Sequence, residues 1–329
     1  MVKKALTVAL ISTLGLAVGC SSIATNEAGE EVVIGLTYVP NIQFAPYYVA
    51  YDAGYFEEAG VSVQLRHHAQ DEDLFGAIEQ GKEHVIVAGG AEMVQAQEQG
   101  IDVLTFQTLY TTYPVSVIVP EDSDIATLED LEGQTLGVPG RFGETWFGTL
   151  AFLKQAGLTE EDVNIKEIGF TQQAALSAGH VDAVVGFLNN DVPQLKATGL
   201  DVRAIDVDPV PIVGVGNGTT SVMIEDDPAA IEAIAQATRK GVEDIMADPA
   251  RAVEAAENHI PGTITDDQRH VMLDVVEATN NLYGELDSDW GIPDMELWQQ
   301  MNDFMVEVEL IDQAVDLDRV VTDRFTGSE

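Results

Sequence analysis

Residues 31–329 predict an α/β fold made of two similar lobes. Three observations carry this expectation. From residue 32 to residue 119, short apolar runs that read as buried strands alternate with helical stretches. The same alternation restarts near residue 127. Residues 76–88 also align with residues 174–186, Gly81 falling on Gly179. Each of these two segments reads as a helix end, a glycine cap, a short turn and a buried strand. The match fits a repeated lobe, and it equally fits two copies of a common helix-to-strand connection. On both readings each lobe places a loop after its strand.

The elements follow in order. Residues 32–36 form an apolar run and predict a buried strand. A helix is expected around 45–58, with Gly60 at its end, then a strand over 61–65 and a helix over 71–80 stopped by Gly81. A buried strand over 85–88 leads to a helix over 92–99 stopped by Gly100, and strands follow at 103–109 and 115–119. The second set begins with a short helix at 127–131 and a strand at 136–138. It continues with a helix at 145–155 ended by Gly157, a strand at 163–168, a helix at 172–178 and a strand at 183–185. Interleaving of this kind predicts parallel sheet connections. From Asp226 onward the periodicity is helical, over 229–246, 249–259, 266–282 and 295–308. Such a tail is too long and amphipathic for a linker, and it is expected to return and pack on the first lobe.

The charge excludes some functions. The chain of 329 residues carries 15 Lys and Arg against 56 Asp and Glu, a formal charge of −41. A surface this acidic does not neutralise the phosphates of DNA or RNA, and it is not drawn to anionic lipid. The composition is not that of a disordered chain, since 46% of residues are hydrophobic. One cysteine excludes an intrachain disulfide and a four-cysteine zinc site.

That cysteine is Cys20. Lys3 and Lys4 precede an apolar stretch over 5–18, the size of a signal-peptide core and too short to span a bilayer comfortably. The stretch runs into Leu16-Ala17-Val18-Gly19-Cys20, which resembles a bacterial lipobox, with Leu16 one place further back than usual. The resemblance implies that residues 1–19 are a signal peptide and that Cys20 is lipidated. Residues 20–30 would then be a flexible tether, holding the protein at the outer face of the cell membrane.

Catalytic motifs are absent. There is no phosphate-binding loop of the Gly-x-x-x-x-Gly-Lys type, and the glycines at 137, 140 and 143 do not have dinucleotide spacing. The six histidines, His67-His68 among them, show no metal spacing, and His67-His68 reads as a solvated strand end. No cofactor and no metal are expected. The informative residues are aromatics and amides in loops that follow strands, where open α/β sheets bind ligands. Tyr38, Asn41, Phe44 and Tyr47 follow the first strand, and Glu92 follows Gly89-Gly90. Tyr110 and Tyr113 precede the crossing into lobe two. Gly140, Arg141, Phe142, Glu144, Thr145 and Trp146 form a glycine-flanked loop at a helix start, and Phe187, Asn189 and Asn190 follow the last matched strand. Flat rings offer stacking surfaces and the polar groups fix edges, a set suited to a planar heterocycle. Each group has a packing alternative. Tyr47 fits a helix core, Trp146 helix packing, Arg141 a salt bridge, and Glu92 a first-turn acid that complements the helix dipole.

The run Tyr38-Val-Pro-Asn41-Ile-Gln43-Phe44-Ala-Pro46-Tyr47-Tyr48, continued by Gly54-Tyr55-Phe56, resembles the solute-binding proteins related to thiamine-pyrimidine biosynthesis enzymes. The segment 128–138 and the Gly81 and Gly179 connections agree with it. With Gly89-Gly90-Ala91-Glu92 and Gly140-Arg141-Phe142-Gly143, the chain is most similar to the binding lipoproteins of riboflavin importers. The resemblance implies a two-lobed periplasmic-binding-protein-like fold of type II, two Rossmann-like lobes with a cleft between them. Lobe one would comprise 31–117 and 218–329, and lobe two 118–217, with a hinge at crossings near 116–119 and 213–221. It implies a monomeric, non-enzymatic receptor that closes on its ligand and delivers it to an ABC permease and its ATPase. Riboflavin is the first expected ligand. A thiamine pyrimidine precursor is the alternative, and a sulfonate or nitrate fits less well. A pyrimidine-forming enzyme is a further alternative, against which the absence of its cysteine-rich motif speaks.

Overall fold

A computed structural model of the chain describes residues 31–69 and 72–326. The expected signal peptide, the tether and Cys20 lie outside the described residues. Lobe one opens with β1 (Val32–Leu36), α1 (Ala45–Asp52), α2 (Tyr55–Glu58), β2 (Val63–His67), α3 (Gly76–Glu79), β3 (Val85–Gly89), α4 (Gly90–Glu98) and β4 (Leu104–Thr108). Lobe two holds β5 (Val115–Pro120), β6 (Thr135–Val138), α5 (Gly143–Ala156), β7 (Asn164–Glu167), α6 (Gln172–Ser177), β8 (Ala183–Phe187), α7 (Asp191–Ala197) and β9 (Val202–Ala204). The chain then returns through β10 (Val215–Thr219) to α8 (Ser221–Asp226), α9 (Pro228–Ala247), α10 (Ala250–His259), α11 (Arg269–Tyr283) and α12 (Met295–Glu307).

The two sheets have one plan. The first runs β2-β1-β3-β10-β4 and the second β7-β6-β8-β5-β9. In each, three strands are parallel, and the fourth in the order is antiparallel to both of its neighbours. That fourth strand is β10 in one sheet and β5 in the other, each arriving from the opposite lobe. The parallel connections that the sequence predicts are found in β2-β1-β3 and β7-β6-β8, and the antiparallel returning strand makes each sheet mixed. The repeat seen in the sequence occupies equivalent places. β3 and β8 are both central, and Gly81 and Gly179 both have φ of 64°, a left-handed turn that glycine adopts without a Cβ clash.

Several local expectations shift. The helix expected over 45–58 is split because Gly54, at φ 74°, breaks it before Tyr55. Of the helix expected over 71–80, residues 76–79 are helical. The crossings move too. Residues 116–119 lie inside β5 and residues 213–221 contain all of β10, so the chain changes sheets between Thr108 and Val115 and again between Ala204 and Val215. His68 is not solvated, since its Nε2 lies 2.8 Å from Glu83 in a buried pair.

The helical tail covers the first sheet. Pro228 starts α9 at a position where its missing N–H costs nothing, and the Asp227 side chain accepts from the Ala230 N–H. Residues of α9, α10 and α11, including Ile231, Ala252 and Val275, share one core with β1 and α1. Trp298, Met301 and Met305 of α12 join a second core with α4 and with Trp146 and Phe147 of α5, so α4 and α5 meet across the two lobes.

Candidate functional site

Between the lobes lies a cavity of about 340 Å³. Its walls come from the loops that follow β1, β3, β4, β6, β7 and β8, the carboxyl ends of strands in both sheets. This volume falls in the range of small-molecule sites.

Its mouth is aromatic. Tyr38 of lobe one stacks on Phe142 of lobe two, with centroids 6.5 Å apart and planes at 23°. Phe170 stands against both, 6.1 Å from Tyr38 and 6.3 Å from Phe142. Phe142 is 49% exposed and Phe170 38%, unusual for rings in a folded domain and consistent with surfaces kept free for a ligand. Tyr38 itself has φ of 64°, a strained conformation for a residue with a bulky side chain, and strain of this kind gathers at functional sites. Its hydroxyl donates to Glu92 across the opening of α4, which holds the ring in place.

The polar lining is amide and acid. Asn41, Gln43, Gln172, Gln173, Asn190 and Gln194 face the cavity. They are already ordered by one another: the Gln194 amide donates to Asn190 Oδ1 at 2.8 Å, and the Gln43 backbone N–H donates to Asn41 Oδ1 at 2.9 Å. The charged lining residues are Glu92, Glu144 and Asp191, and among the described lining residues there is no Lys, Arg or His. Asp191 accepts from the Phe187 N–H at 2.7 Å, and burial pushes its carboxyl up to about 6. Burial raises Glu92 as well, although the Tyr38 hydroxyl and the Gly89 N–H favour its anion. Glu144 is raised too, by burial and by the Glu92 charge beside it.

Eleven sequence-predicted residues line this cavity: Tyr38, Asn41, Phe44, Tyr47, Glu92, Tyr110, Phe142, Glu144, Thr145, Phe187 and Asn190. Tyr47 is also core, because its hydroxyl donates to buried Asn217 at 2.7 Å. Tyr110 is buried against Tyr283.

Five others stand elsewhere. Arg141 points away from the cavity. Its guanidinium pairs with Glu160 and, at 3.7 Å, with Glu167, and it lies 4.7 Å from the Trp146 ring centroid. Acids on the outer side of the loop claim it. Trp146 is buried in the α4–α12 core. Tyr113 donates to the Glu144 carbonyl oxygen. Gly140 leaves room for the Phe142 ring, which a Cβ there would strike. Asn189 donates to Gln43 Oε1 and to Thr279 Oγ1, both at 2.8 Å, so it ties lobe two to lobe one beside the cavity.

Sequence reasoning missed Phe170, Asp191 and the three glutamines Gln172, Gln173 and Gln194. Phe170 was within reach of the rule used for the others, since it follows a predicted strand and a glycine. The glutamines lie on helices, where no loop signal marks them.

Residues 41–252 match the family described as NMT1/THI5 like. The riboflavin-binding protein RibY of Chloroflexus aurantiacus is 32% identical over 304 residues, covering 90% of this chain and 86% of that protein.

The chain belongs to the NMT1/THI5-like family.

A formylaminopyrimidine-binding protein of Halalkalibacterium halodurans is 24% identical, covering 93% of each chain. A 4-amino-5-hydroxymethyl-2-methylpyrimidine phosphate synthase of Legionella pneumophila is 20% identical, covering 92% of this chain and 94% of that one. In fold, the aliphatic sulphonate-binding protein SsuA of Escherichia coli superposes with a TM-score of 0.70 over 88% of this chain and 97% of its own, at 17% identity. The NMT1/THI5-like chain thus has the two-lobed fold of periplasmic binding proteins, as its resemblance implied.

Proposed function

We propose that this NMT1/THI5-like protein is the extracytoplasmic solute-binding component of an ABC importer, that it is not an enzyme, and that it captures a planar, polar-edged heterocycle, with riboflavin as the ligand. The aromatic mouth carries this reading. Tyr38 from one lobe and Phe142 and Phe170 from the other gather around a single opening, so closing the cleft places a flat ring system among three aromatic faces. The amides below suit ribityl hydroxyls. The relatives add support, since two of them are named for binding riboflavin and a pyrimidine. An acid-lined cavity with no cation among its described lining residues disfavours a sulfonate or nitrate, despite the sulfonate-binding fold neighbour.

In this reading the lobes hinge at 109–114 and 205–214, the segments that join the sheets. The ligand shifts an open and closed equilibrium toward the closed form. The closed form docks on a permease whose ATPase supplies the transport energy. Cys20 carries the lipid that keeps the monomeric receptor at the outer face of the membrane. Thermal melting with riboflavin, with 4-amino-5-hydroxymethyl-2-methylpyrimidine and with an alkanesulfonate at equal concentration tests the ligand assignment. Riboflavin is expected to raise the melting temperature most. A rise with the pyrimidine alone makes the protein a receptor for a thiamine precursor instead, and a rise with the sulfonate alone removes the heterocycle reading.

A further inference from the structure

Where α4 and α5 meet, two carboxyl groups from opposite lobes face each other. Glu92 lies in the first turn of α4 and Glu144 in the first turn of α5, and both line the cavity. Glycines permit the approach. A Cβ on Gly89 would strike the Glu144 carboxyl, and one on Gly143 would come within 2.6 Å of the Tyr38 hydroxyl. The two acids are not equivalent. Glu92 accepts from the Tyr38 hydroxyl and, at 2.9 Å, from the Gly89 N–H. Glu144 is only 5% exposed, yet neither of its carboxyl oxygens has a hydrogen-bond partner. A buried polar group left in this way costs stability unless something else meets it.

The groups that face Glu144 are Glu92 from α4, Tyr38 from the loop after β1 and Tyr113 from the loop before β5. Tyr113 spends its hydroxyl on the Glu144 carbonyl oxygen, and Asp191 lines the same cavity from α7. No cation among the described residues lines the cavity to balance a second negative charge. Two adjacent carboxyls then hold one proton between them, and the acid without donors keeps it. A protonated carboxyl presents one donor and one acceptor side by side. The complementary partner is a ring edge with an acceptor next to a donor, as in a lactam, an imide or an aminopyrimidine.

We propose that Glu144 is the ligand-facing carboxyl of this cross-lobe pair, that it takes the acceptor–donor edge of an uncharged heterocycle, and that closing the cleft on that ligand takes up one proton. The inference rests on the heterocycle reading above and names the part of the site that recognises the ring edge. When the lobes part, Glu144 leaves Glu92 and returns to water, where it ionises. Closure brings it back against Glu92 and away from solvent, and a proton returns from bulk to its carboxylate oxygen.

The test is calorimetric titration of the full chain with riboflavin across a pH series, in buffers of different ionisation enthalpy. Affinity should fall as pH rises, approaching about tenfold per pH unit, with net uptake of one proton. Glu144→Gln keeps a donor and an acceptor but cannot ionise. Whatever its affinity, it should flatten the pH dependence and abolish the proton uptake. Glu144→Ala should bind at least about tenfold more weakly while melting as a folded protein. Wild-type binding that is independent of pH, or an unchanged slope in Glu144→Gln, overturns the inference although riboflavin binds. If riboflavin does not bind at all, the same series with 4-amino-5-hydroxymethyl-2-methylpyrimidine, which has the same type of edge, decides. A flat series there overturns the inference, and binding of neither ligand overturns the heterocycle reading and this inference with it.

Discussion

At the scale of the residue, exposure separates ligand-facing rings from packing rings. Phe142 and Phe170 are large, apolar and open to the cavity mouth, while Trp146 and Tyr47 are the same kind of residue turned into cores. Phe142→Ala should therefore weaken ligand binding by about tenfold, since an aromatic pair contributes about 0.5–1.5 kcal/mol beyond the area it buries. Arg141→Ala should leave affinity within about twofold, because the guanidinium is held by exposed acids that contribute little. Fluorescence titration of the two variants separates them. Rarity made Arg141 conspicuous in an acidic sequence, but the same surplus of acids supplied it with partners outside the site. Asp191 gives a third outcome. Its carboxyl is pushed up to about 6 by burial, against 3.8 in the unfolded chain. The unfolded state loses its proton first, so the stability held below pH 4 is lost as pH rises toward 6. The loss is on the order of 3 kcal/mol. Asp191→Asn should gain melting temperature over the wild type progressively across that interval and hold a constant gain above it.

At the scale of the element, the strand-end loops were legible and the returning strand was not. The buried runs at β1, β3 and β8 are nearly all apolar, and the glycine caps at 81 and 179 announce their connections. β10 is Val-Gly-Asn-Gly-Thr, a sequence with two glycines and an asparagine that carries no strand periodicity. It is a strand because both neighbours in the sheet supply its partners. Its glycines are packing requirements, since a Cβ at Gly216 would strike the Gln107 carbonyl and one at Gly218 the Met93 side chain. Gly216→Val should cost about 1–3 kcal/mol, because the Gln107 backbone carbonyl cannot move aside as a side-chain end can, to be read as a lower urea midpoint. The α4–α5 contact is a second element-scale device that no local pattern shows. Glu92 and Glu144 each look like an ordinary first-turn acid, and only tertiary packing sets them against each other and against the cavity.

At the scale of the molecule, the charge of −41 changes meaning once the fold is known. The described salt bridges occupy several of the few cations, and most are partly exposed pairs of small worth. Net repulsion among the remaining acids dominates the surface. Salt screens it over distances of about 10 Å at 0.1 M. The melting temperature should therefore rise with NaCl, and a flat or falling response contradicts this reading of the surface. In the proposed function the interlobe cavity binds riboflavin between aromatic faces. Titration of purified protein with riboflavin, followed by quenching of the flavin fluorescence, tests it most directly. Saturable quenching at micromolar ligand is expected, weakened by Phe142→Ala and by Phe170→Ala. Unquenched flavin in the presence of excess folded protein, or quenching that both substitutions leave unchanged, would contradict it.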